Sequence, residues 1–335
     1  MKVCVYGAGA IGGYMGVQLA LAGAEVSLIA RGPHLAAMQA NGVKLRIKNA
    51  EGVEEERVAK IKATNDPKEV GVVDVVIIAL KGNAIPNIID AMKPLLGPDT
   101  MIIPAVNGIP YWYFYKHGGK LENTILETID PEGRQWKELG PERAIGCIVY
   151  PAAEVVEPGV IQHIYGNKFP LGEPSDEETP RLKALKELFV KADLDPSLRP
   201  GVAIRDELWL KLWGNLCFNP ISALTHATLD IIGTNPGTRA VSKAMMLEGQ
   251  AIGEKLGVKF HVDVERRING AVKVGAHKTS MLQDLERGRP MEIDPLVTVV
   301  QEMGRLAEVP TPTIDVVLPL IQLRQFMADN PAKDH

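Results

Sequence analysis

Short apolar runs alternate with helix-like segments through the first third of the chain. Lys2–Tyr6 is rich in β-branched residues and predicts a buried parallel strand, and Tyr14–Ala22 has a helical pattern that stops at Gly23. The alternation continues with strands over Glu25–Ala30, Val73–Leu80 and Met101–Val106 and a helical stretch over Ile85–Leu96. Strands that alternate with helices in this way predict a parallel sheet covered by helices, an α/β architecture.

The pattern changes further along the chain. Three more short strands, with a more antiparallel character, are predicted over Ala144–Tyr150, Val160–Tyr165 and Phe169–Gly172. An amphipathic helix opens near Pro174 and runs to about Lys191, and the stretch Asp193–Gly201 has the composition of a linker. Because no strand signal follows this linker, we expect an α/β domain over 1–197 and an all-helical domain over 198–335.

Helix boundaries in the second half are predicted from capping signals, with Pro at a first helical position and Ser, Thr or Asn just before a helix. Helices are expected from Asn235–Pro236 to Leu256–Gly257, over Val262–Val274, from Ser280 (with capping-box spacing to Gln283) to Gly288, from Asp294–Pro295 and from Thr313.

One helix of this half carries polar residues where an apolar surface is expected. The segment Glu207–Asn219 is apolar almost all the way round, and we expect the helix to break near Pro220. Lys211, Asn215 and Asn219 interrupt it at spacings of four, so at about 100° per residue they share one face. Unpaired buried polar groups are costly, so this stripe predicts one wall of an active site. A domain interface that never meets substrate is the alternative.

A glycine-rich loop follows the first strand. Gly7, Gly9 and Gly12 form a Gly-x-Gly-x-x-Gly motif between a strand and a helix, which is the context that a dinucleotide-binding loop requires. We expect the loop, including Ala10 and Ile11, to hold a pyrophosphate at the start of the helix. The N-terminal domain is therefore predicted to be a Rossmann-like dinucleotide-binding domain.

The ends of the following strands indicate which dinucleotide binds. An NAD-binding domain usually has an acidic residue after the second strand, whereas this chain has Arg31 there, which favours the 2′-phosphate of NADP. Lys81, Asn83 and Asn107 follow the next strands and are placed near the nicotinamide, because ligands bind beyond the carboxyl ends of parallel strands. Each has a plainer interpretation, as a surface charge or a turn residue.

Composition excludes several other functions. The net charge of −4 gives no basic surface for nucleic acid, and no apolar run approaches the length of a membrane span. Cys4, Cys147 and Cys217 are isolated and lack metal-ligand spacing, so we expect no metal site and reduced thiols in a cytoplasmic protein.

Four features together carry a resemblance to a known family. They are the glycine loop, Arg31, the stripe Lys211-x-x-x-Asn215-x-x-x-Asn219, and the pair Ser280-Met-Leu-Gln-Asp and Glu292-Ile-Asp294. Over nearly its whole length the chain resembles the ketopantoate reductases, or 2-dehydropantoate 2-reductases. The resemblance implies a cytoplasmic, NADPH-dependent oxidoreductase that reduces the ketone of a 2-oxo acid to a hydroxyl, in pantothenate biosynthesis in the type member. It also implies a homodimer.

The resemblance also assigns roles to residues. By motif, Lys211 and Glu292 are expected to be catalytic, and Asn107, Asn215, Asn219 and Ser280 are expected to contact substrate. Asn107 and Glu292 are also expected to approach the cofactor, with Gly7, Gly9, Ala10, Ile11, Gly12, Arg31 and Lys81. The implied mechanism uses the Lys211 ammonium to stabilise the developing oxyanion and to donate its proton. There are alternatives for two of these residues. Ser280 would then be a simple helix cap, and Glu292 would be an exposed carboxylate or an ion-pair partner of Lys211.

Two departures from the family pattern concern the substrate. The Glu-Ile-Asp motif continues as Pro295-Leu-Val-Thr-Val, and a long connection after Gly108 opens with five aromatic residues in the segment Tyr111–Tyr115. The aromatic segment is either a hydrophobic cluster under a long loop, an oligomer contact, or a lid or pocket wall. A lid would suit a bulkier or aromatic 2-oxo or 3-oxo acid.

Other functions of the same architecture remain as alternatives. One is a β-hydroxyacid or imine-reducing dehydrogenase, which the pairing of Ser280 with Glu292 argues against. The other is a dinucleotide-sensing protein without turnover, which has no need of a desolvated lysine such as Lys211.

Overall fold

A computed structural model describes residues 1–48 and 52–331 of the chain. The chain divides into two units. The first contains Met1–Val106, Pro110–Ile125 and Glu132–Ile204, and the second contains Asn107–Ile109, Leu126–Pro131 and Arg205–His335. Two short pieces of the long connection after the last parallel strand therefore cluster with the second unit.

Strands occur in the first unit, and their order is that of a dinucleotide-binding sheet. The strands are β1 (Lys2–Tyr6), β2 (Glu25–Ile29), β3 (Val43–Lys48), β4 (Glu54–Ala59), β5 (Lys62–Thr64), β6 (Val75–Ile78), β7 (Met101–Pro104), β8 (Gly146–Cys147), β9 (Ala152–Glu157), β10 (Val160–Tyr165) and β11 (Leu171–Gly172). The order β5-β2-β1-β6-β7 forms a five-stranded sheet in which all pairings are parallel. This confirms the predicted parallel sheet.

A second sheet of the first unit is larger than predicted. Its order is β4-β3-β10-β9, and of these strands only β10 was expected. The signal for β3 is nevertheless present, because Val43, Leu45 and Ile47 are buried and alternate with polar residues at a period of two. The strands β8 and β11 form a separate two-stranded pair.

The described part of the first unit also contains four α-helices, in addition to several 3₁₀ turns and a π-helical turn over Gln135–Leu139: α1 (Ala10–Leu21), α2 (Gly32–Asn41), α3 (Ile89–Met92) and α4 (Pro180–Lys191). Helix α1 packs against both sheets, and its glycines permit the close approach. A Cβ atom at Gly13 would lie 2.8 Å from the Ile161 side chain in β10, and one at Gly16 would lie 2.7 Å from Leu28 in β2. The glycines of α1 thus set the distance between the helix and both sheets.

Prolines and caps explain where the observed helices differ from prediction. The helix predicted over Ile85–Leu96 is broken into 3₁₀ turns flanking the short α3, with Pro86 inside the first turn. Helix α4 begins at Pro180 rather than near Pro174, because the Thr179 hydroxyl accepts a hydrogen bond from the Leu182 amide as its cap.

Helices make up the described secondary structure of the second unit. They are α5 (Ile204–Thr225), α6 (Leu229–Thr234), α7 (Pro236–Lys255), α8 (Val264–Lys273), α9 (Ser280–Glu286), a π-helical turn (Asp294–Thr298), α10 (Val299–Leu306) and α11 (Pro312–Asp329). The break expected near Pro220 is wrong, because α5 continues through this residue to Thr225. Pro220 and Ile221 are buried, and this apolar burial offsets the hydrogen bond that proline cannot donate. Over residues 1–48 and 52–331, no helix is both long and apolar enough to span a bilayer.

The aromatic segment Tyr111–Tyr115 is part of the core of the first unit. The first four of its side chains are buried, and the Tyr111 hydroxyl donates to the Gly140 carbonyl over 3.2 Å. The Tyr113 and Phe114 rings meet edge to face. The Trp112 ring packs tightly on Gly146, because a Cβ atom at Gly146 would lie only 2.9 Å from it. A lid needs side chains that can move into solvent. The structure therefore supports the hydrophobic-cluster interpretation and not the lid.

Candidate active site

The glycine loop of the first unit has the backbone geometry that a bound pyrophosphate needs. Gly7 has φ +104°, and the amides of Gly7 and Ala8 donate to the Ile29 carbonyl at the end of β2, over 3.2 and 3.1 Å. A Cβ atom at Gly12 would lie 2.1 Å from the Gly7 carbonyl oxygen, whereas one at Gly9 would meet nothing within 4 Å. Gly12 therefore closes the loop against the helix start, and Gly9 leaves the space above the loop open.

Two of the predicted cofactor residues flank this loop. Arg31 is exposed and precedes α2, two residues after the Ile29 carbonyl that holds the loop. Lys81 is half-buried and follows β6, the strand on the other side of β1. Both stand at carboxyl ends of neighbouring parallel strands, as the sequence predicted.

Sequence reasoning missed His34, which supports the glycine loop from α2. Its Nε2 atom lies 2.7 Å from the Ala8 carbonyl oxygen, and the Gly159 amide donates to its Nδ1 atom over 2.9 Å. Ala8 and Gly159 are 26 and 125 residues away in the chain. No local pattern marks a contact of that range, so only the short distance of His34 from Arg31 in the sequence could have drawn attention to it.

In the second unit, the structure brings three of the predicted site residues into one hydrogen-bonded network. The Lys211 ammonium donates to Asn107 Oδ1 over 2.6 Å, and Asn107 Nδ2 donates to Glu292 Oε2 over 3.2 Å. Lys211 is half-buried, and Glu292 is 8% exposed. The Asn107 carboxamide thus connects a cation and an anion that lie far apart in this unit's sequence.

Gly108 explains how Asn107 reaches this position. Its φ is +88°, and a Cβ atom there would lie 2.0 Å from the Pro295 carbonyl oxygen. The Ile109 amide donates to the same carbonyl over 3.1 Å. Only glycine allows this close approach, so Gly108 and Pro295 hold Asn107 beside Glu292.

The remaining polar residues of the stripe lie on the same helix, α5. Asn215 is half-buried, and in the part of the chain that the structure describes its carboxamide has no hydrogen-bond partner. Asn219 is buried, and its Nδ2 atom lies 3.5 Å from the Ser280 hydroxyl, a long hydrogen bond. The stripe therefore retains hydrogen-bonding capacity that its own unit does not use fully.

Ser280 is not the cap of its helix. The cap of α9 is Thr279, whose hydroxyl accepts from the Leu282 amide over 3.3 Å, so the interpretation of Ser280 as the helix cap is wrong. Thr279 has extended backbone angles and is buried, whereas Ser280 is the first residue of the helix and is exposed. The Ser280 hydroxyl is consequently available for other contacts.

The arrangement combines one ammonium, one carboxylate, three carboxamides and one hydroxyl in a single unit. An ammonium fixed by a carboxamide can stabilise an oxyanion and transfer a proton, and neutral amides can bind oxygen atoms of a substrate without adding charge. Among residues 1–48 and 52–331, no group of His, Cys, Asp and Glu side chains is placed to hold a metal ion.

Comparisons with known proteins agree with this picture. Residues 3–176 match the profile of the family described as "Ketopantoate reductase PanE/ApbA", and residues 203–325 match that of its C-terminal domain. A 2-dehydropantoate 2-reductase of Mesorhizobium japonicum is 53% identical over 323 residues, which cover 96% of this chain and 97% of the relative.

Solved structures show the same likeness. A protein of Ralstonia solanacearum that is provisionally assigned as a ketopantoate reductase superposes with a TM-score of 0.89 at 38% identity, over 98% of both chains. A dimeric ketopantoate reductase of Staphylococcus aureus has a TM-score of 0.71 over 98% of this chain and all of its own, and at 20% identity it shows the fold alone. By both family profiles and by these similarities, the chain belongs to the ketopantoate reductase family.

Proposed function

We propose that the protein reduces the ketone of 2-dehydropantoate to the hydroxyl of pantoate at the expense of NADPH, in pantothenate biosynthesis. The observation that carries the proposal is the network of Lys211, Asn107 and Glu292, because it fixes an ammonium through a carboxamide to a buried carboxylate. The same face of α5 carries Asn215 and Asn219. The 53% identity with a 2-dehydropantoate 2-reductase supports the same substrate.

The side chains of the network would act in the following way. When bound, NADPH would supply a hydride for the ketone carbon, and negative charge would develop on the former carbonyl oxygen. The Lys211 ammonium stabilises this charge and donates one proton to it, which completes the alcohol. Asn107 keeps the ammonium in place, and Glu292 fixes the orientation of the Asn107 carboxamide. Asn215, Asn219 and Ser280 would hydrogen-bond the hydroxyl and carboxylate oxygens of the substrate.

The glycine loop fits a dinucleotide, and Arg31 favours the phosphorylated one. A side chain at Gly12 would fill the close contact with Gly7, and the open space at Gly9 would accommodate the pyrophosphate. The exposed Arg31 guanidinium would pair with the 2′-phosphate, because it stands where NAD-binding domains usually carry a carboxylate. Lys81, Ala10 and Ile11 would complete the contacts.

The first experiment tests Lys211. We expect Lys211→Met to lose turnover of 2-dehydropantoate by at least about a hundredfold while NADPH binding, followed by fluorescence, is kept. Lys255→Met is the matched control, because Lys255 is an exposed lysine in the last turn of α7, and it should leave turnover unchanged. Wild-type turnover in Lys211→Met would remove Lys211 from its role.

The second experiment tests the cofactor. We expect a preference for NADPH over NADH in kcat/KM at saturating 2-dehydropantoate, and we expect Arg31→Ala to reduce this preference by about tenfold or more. A preference for NADH that Arg31→Ala leaves unchanged would overturn the assignment.

The third experiment tests the substrate. NADPH oxidation is screened over 2-dehydropantoate and aromatic 2-oxo acids, and 2-dehydropantoate should give the highest kcat/KM. Burial of the aromatic segment Tyr111–Phe114 supports this expectation, because buried rings do not form an exposed wall for a bulkier substrate. A higher value for an aromatic acid would assign the enzyme to another substrate within the same reaction class.

We also propose that the chain forms a homodimer and works in the cytoplasm. The dimeric S. aureus protein supports the first, and three buried cysteines without a disulfide are typical of a reducing compartment. Sedimentation velocity and cell fractionation test these two points.

A further inference from the structure

The C-terminal helix has one apolar face packed in the second unit and a second apolar face in solvent. Ile314, Val317, Leu318 and Ile321 of α11 are buried. On the other side, Val316, Leu320, Leu323 and Met327 are 62, 49, 57 and 46% exposed, and Phe326 beside them is 59% exposed. We call these five exposed residues the α11 stripe. An apolar face this continuous is unusual on the surface of a monomer.

The spacing of the α11 stripe is that of a helix–helix seam. Val316, Leu320, Leu323 and Met327 follow one another at intervals of four, three and four, which is the alternation of core positions in a heptad repeat. We propose that this stripe is the interface of the homodimer proposed above, and that α11 of one copy packs antiparallel on α11 of a second copy.

An antiparallel pair makes the stripe complementary to itself. About a two-fold axis next to Ile321, Leu320 meets the partner's Leu323, and Val316 meets the partner's Met327. An isologous interface requires such reciprocal pairs, in which each contact occurs twice.

The size of the stripe suits a modest interface. Five large side chains, each about half exposed, amount to several hundred Å² of apolar surface. Two such stripes would bury on the order of 1,000 Å², the lower edge of the range for specific interfaces.

Charge substitution at the centre of the stripe tests the proposal, with sedimentation velocity at micromolar concentration as the readout. We expect the wild type to be a dimer and Leu320→Glu to be a monomer, because the introduced carboxylate would be buried against Leu323 of the partner subunit. The double variant Leu320→Glu/Leu323→Lys should recover the dimer, because the glutamate at 320 of each copy would face the lysine at 323 of the other copy. Val274→Glu is the control, because Val274 is a 60% exposed apolar residue at the end of α8, and it should stay dimeric.

Each outcome has a distinct meaning. A monomeric wild type would overturn both the homodimer and its interface. A dimeric wild type with a dimeric Leu320→Glu would overturn the interface alone. Turnover of 2-dehydropantoate by each variant is measured in parallel, so that a failure of the proposed reaction is seen separately from a failure of assembly.

A second inference concerns His34 and rests on the proposed binding of a dinucleotide by the glycine loop. The Gly159 amide can only donate, so Nδ1 of His34 must accept and the ring proton lies on Nε2, which donates to the Ala8 carbonyl. One neutral imidazole therefore joins the glycine loop to the turn between β9 and β10. We infer that His34 is a positioning residue that holds the glycine loop in its binding conformation.

Steady-state kinetics separate this role from a general structural one. We expect His34→Ala to raise KM for NADPH by about tenfold while kcat at saturating NADPH changes little, because the loss concerns one hydrogen bond and loop order. His34→Gln should recover part of the affinity, since an amide can donate and accept at similar positions. His117→Ala, which removes a histidine hydrogen-bonded to its neighbour Gly118, is the control. An unchanged KM for NADPH in His34→Ala, or a loss of kcat alone, would overturn the inference.

Discussion

Removal of the Asn107 carboxamide is the perturbation that the geometry of the site defines best. Asn107 accepts a 2.6 Å hydrogen bond from the Lys211 ammonium and donates a 3.2 Å hydrogen bond to the Glu292 carboxylate. Asn107→Ala leaves the ammonium without this acceptor and the carboxylate without this donor. The lysine side chain then loses one of the contacts that hold its rotamer, and its proton is correctly placed for less of the time.

The magnitude follows from the shorter of the two bonds. A hydrogen bond to a charged group contributes about 1.5–3 kcal/mol, which corresponds to a loss of roughly 10- to 150-fold in kcat/KM if the bond matters fully in the transition state. The longer bond to Glu292 is at the upper limit of ordinary N–H···O distances and adds less. We therefore expect kcat/KM for 2-dehydropantoate to fall by about 10- to 150-fold in Asn107→Ala.

The assay is initial-rate NADPH oxidation at saturating NADPH, with thermal unfolding to verify the fold. Asn167→Ala is the matched control, because Asn167 hydrogen-bonds the Asp193 carbonyl of the first unit and should leave kcat/KM unchanged. Glu292→Gln is measured alone and together with Asn107→Ala. If Glu292 acts through Asn107, the double variant should lose less transition-state stabilisation than the sum of the two single losses. A kcat/KM within threefold of wild type in folded Asn107→Ala would refute the reasoning.

Three further predictions concern stability. Gly108→Ala should lower the free energy of unfolding by about 2 kcal/mol or more, because its Cβ atom would lie 2.0 Å from the Pro295 carbonyl oxygen and the residue has a left-handed backbone. The control Gly270→Ala places a Cβ atom in open space on α8 and should be neutral or stabilising by up to about 1 kcal/mol. Urea unfolding of Arg181→Met should show a loss of about 3 kcal/mol in the free energy of unfolding, because the 3% exposed Glu173 carboxylate loses its two-pronged ion pair. Lys93→Met, which removes an exposed ion pair with Asp90, should leave the urea midpoint almost unchanged. Burial raises the pKa of the Cys4 thiol to about 12, whereas the thiol of the unfolded chain ionises near pH 9. The free energy of unfolding should therefore be unaffected by this thiol below pH 9 and should decline between pH 9 and 12. Cys4→Ala should show a smaller decline in urea midpoint over this range, and an equal decline would contradict the assignment to Cys4.

The local elements near the cofactor loop follow closely from sequence. The bounds of β1 are those predicted, and β2 differs by one residue, because short apolar runs next to glycines leave little alternative to a buried strand. The cap at Asn235, which accepts from Gly237 and Thr238, was likewise predictable from its neighbour Pro236. By contrast, β3, β4, β5 and β9 were missed, since these strands are short or carry many polar residues and give a weak strand signal. The parallel pairing of β3 with β10 also joins segments far apart in the chain.

Sequence by itself determined the two architectures, the glycine loop and the polar stripe on α5, because period, glycine position and side-chain type are local properties. Only the tertiary structure decided that Asn107 connects Lys211 to Glu292, that Thr279 rather than Ser280 caps α9, and that the aromatic segment is core. These outcomes depend on contacts between residues up to 185 positions apart. Such contacts are selected by packing and by the need to satisfy buried polar groups, and neither is written in any local stretch of the chain.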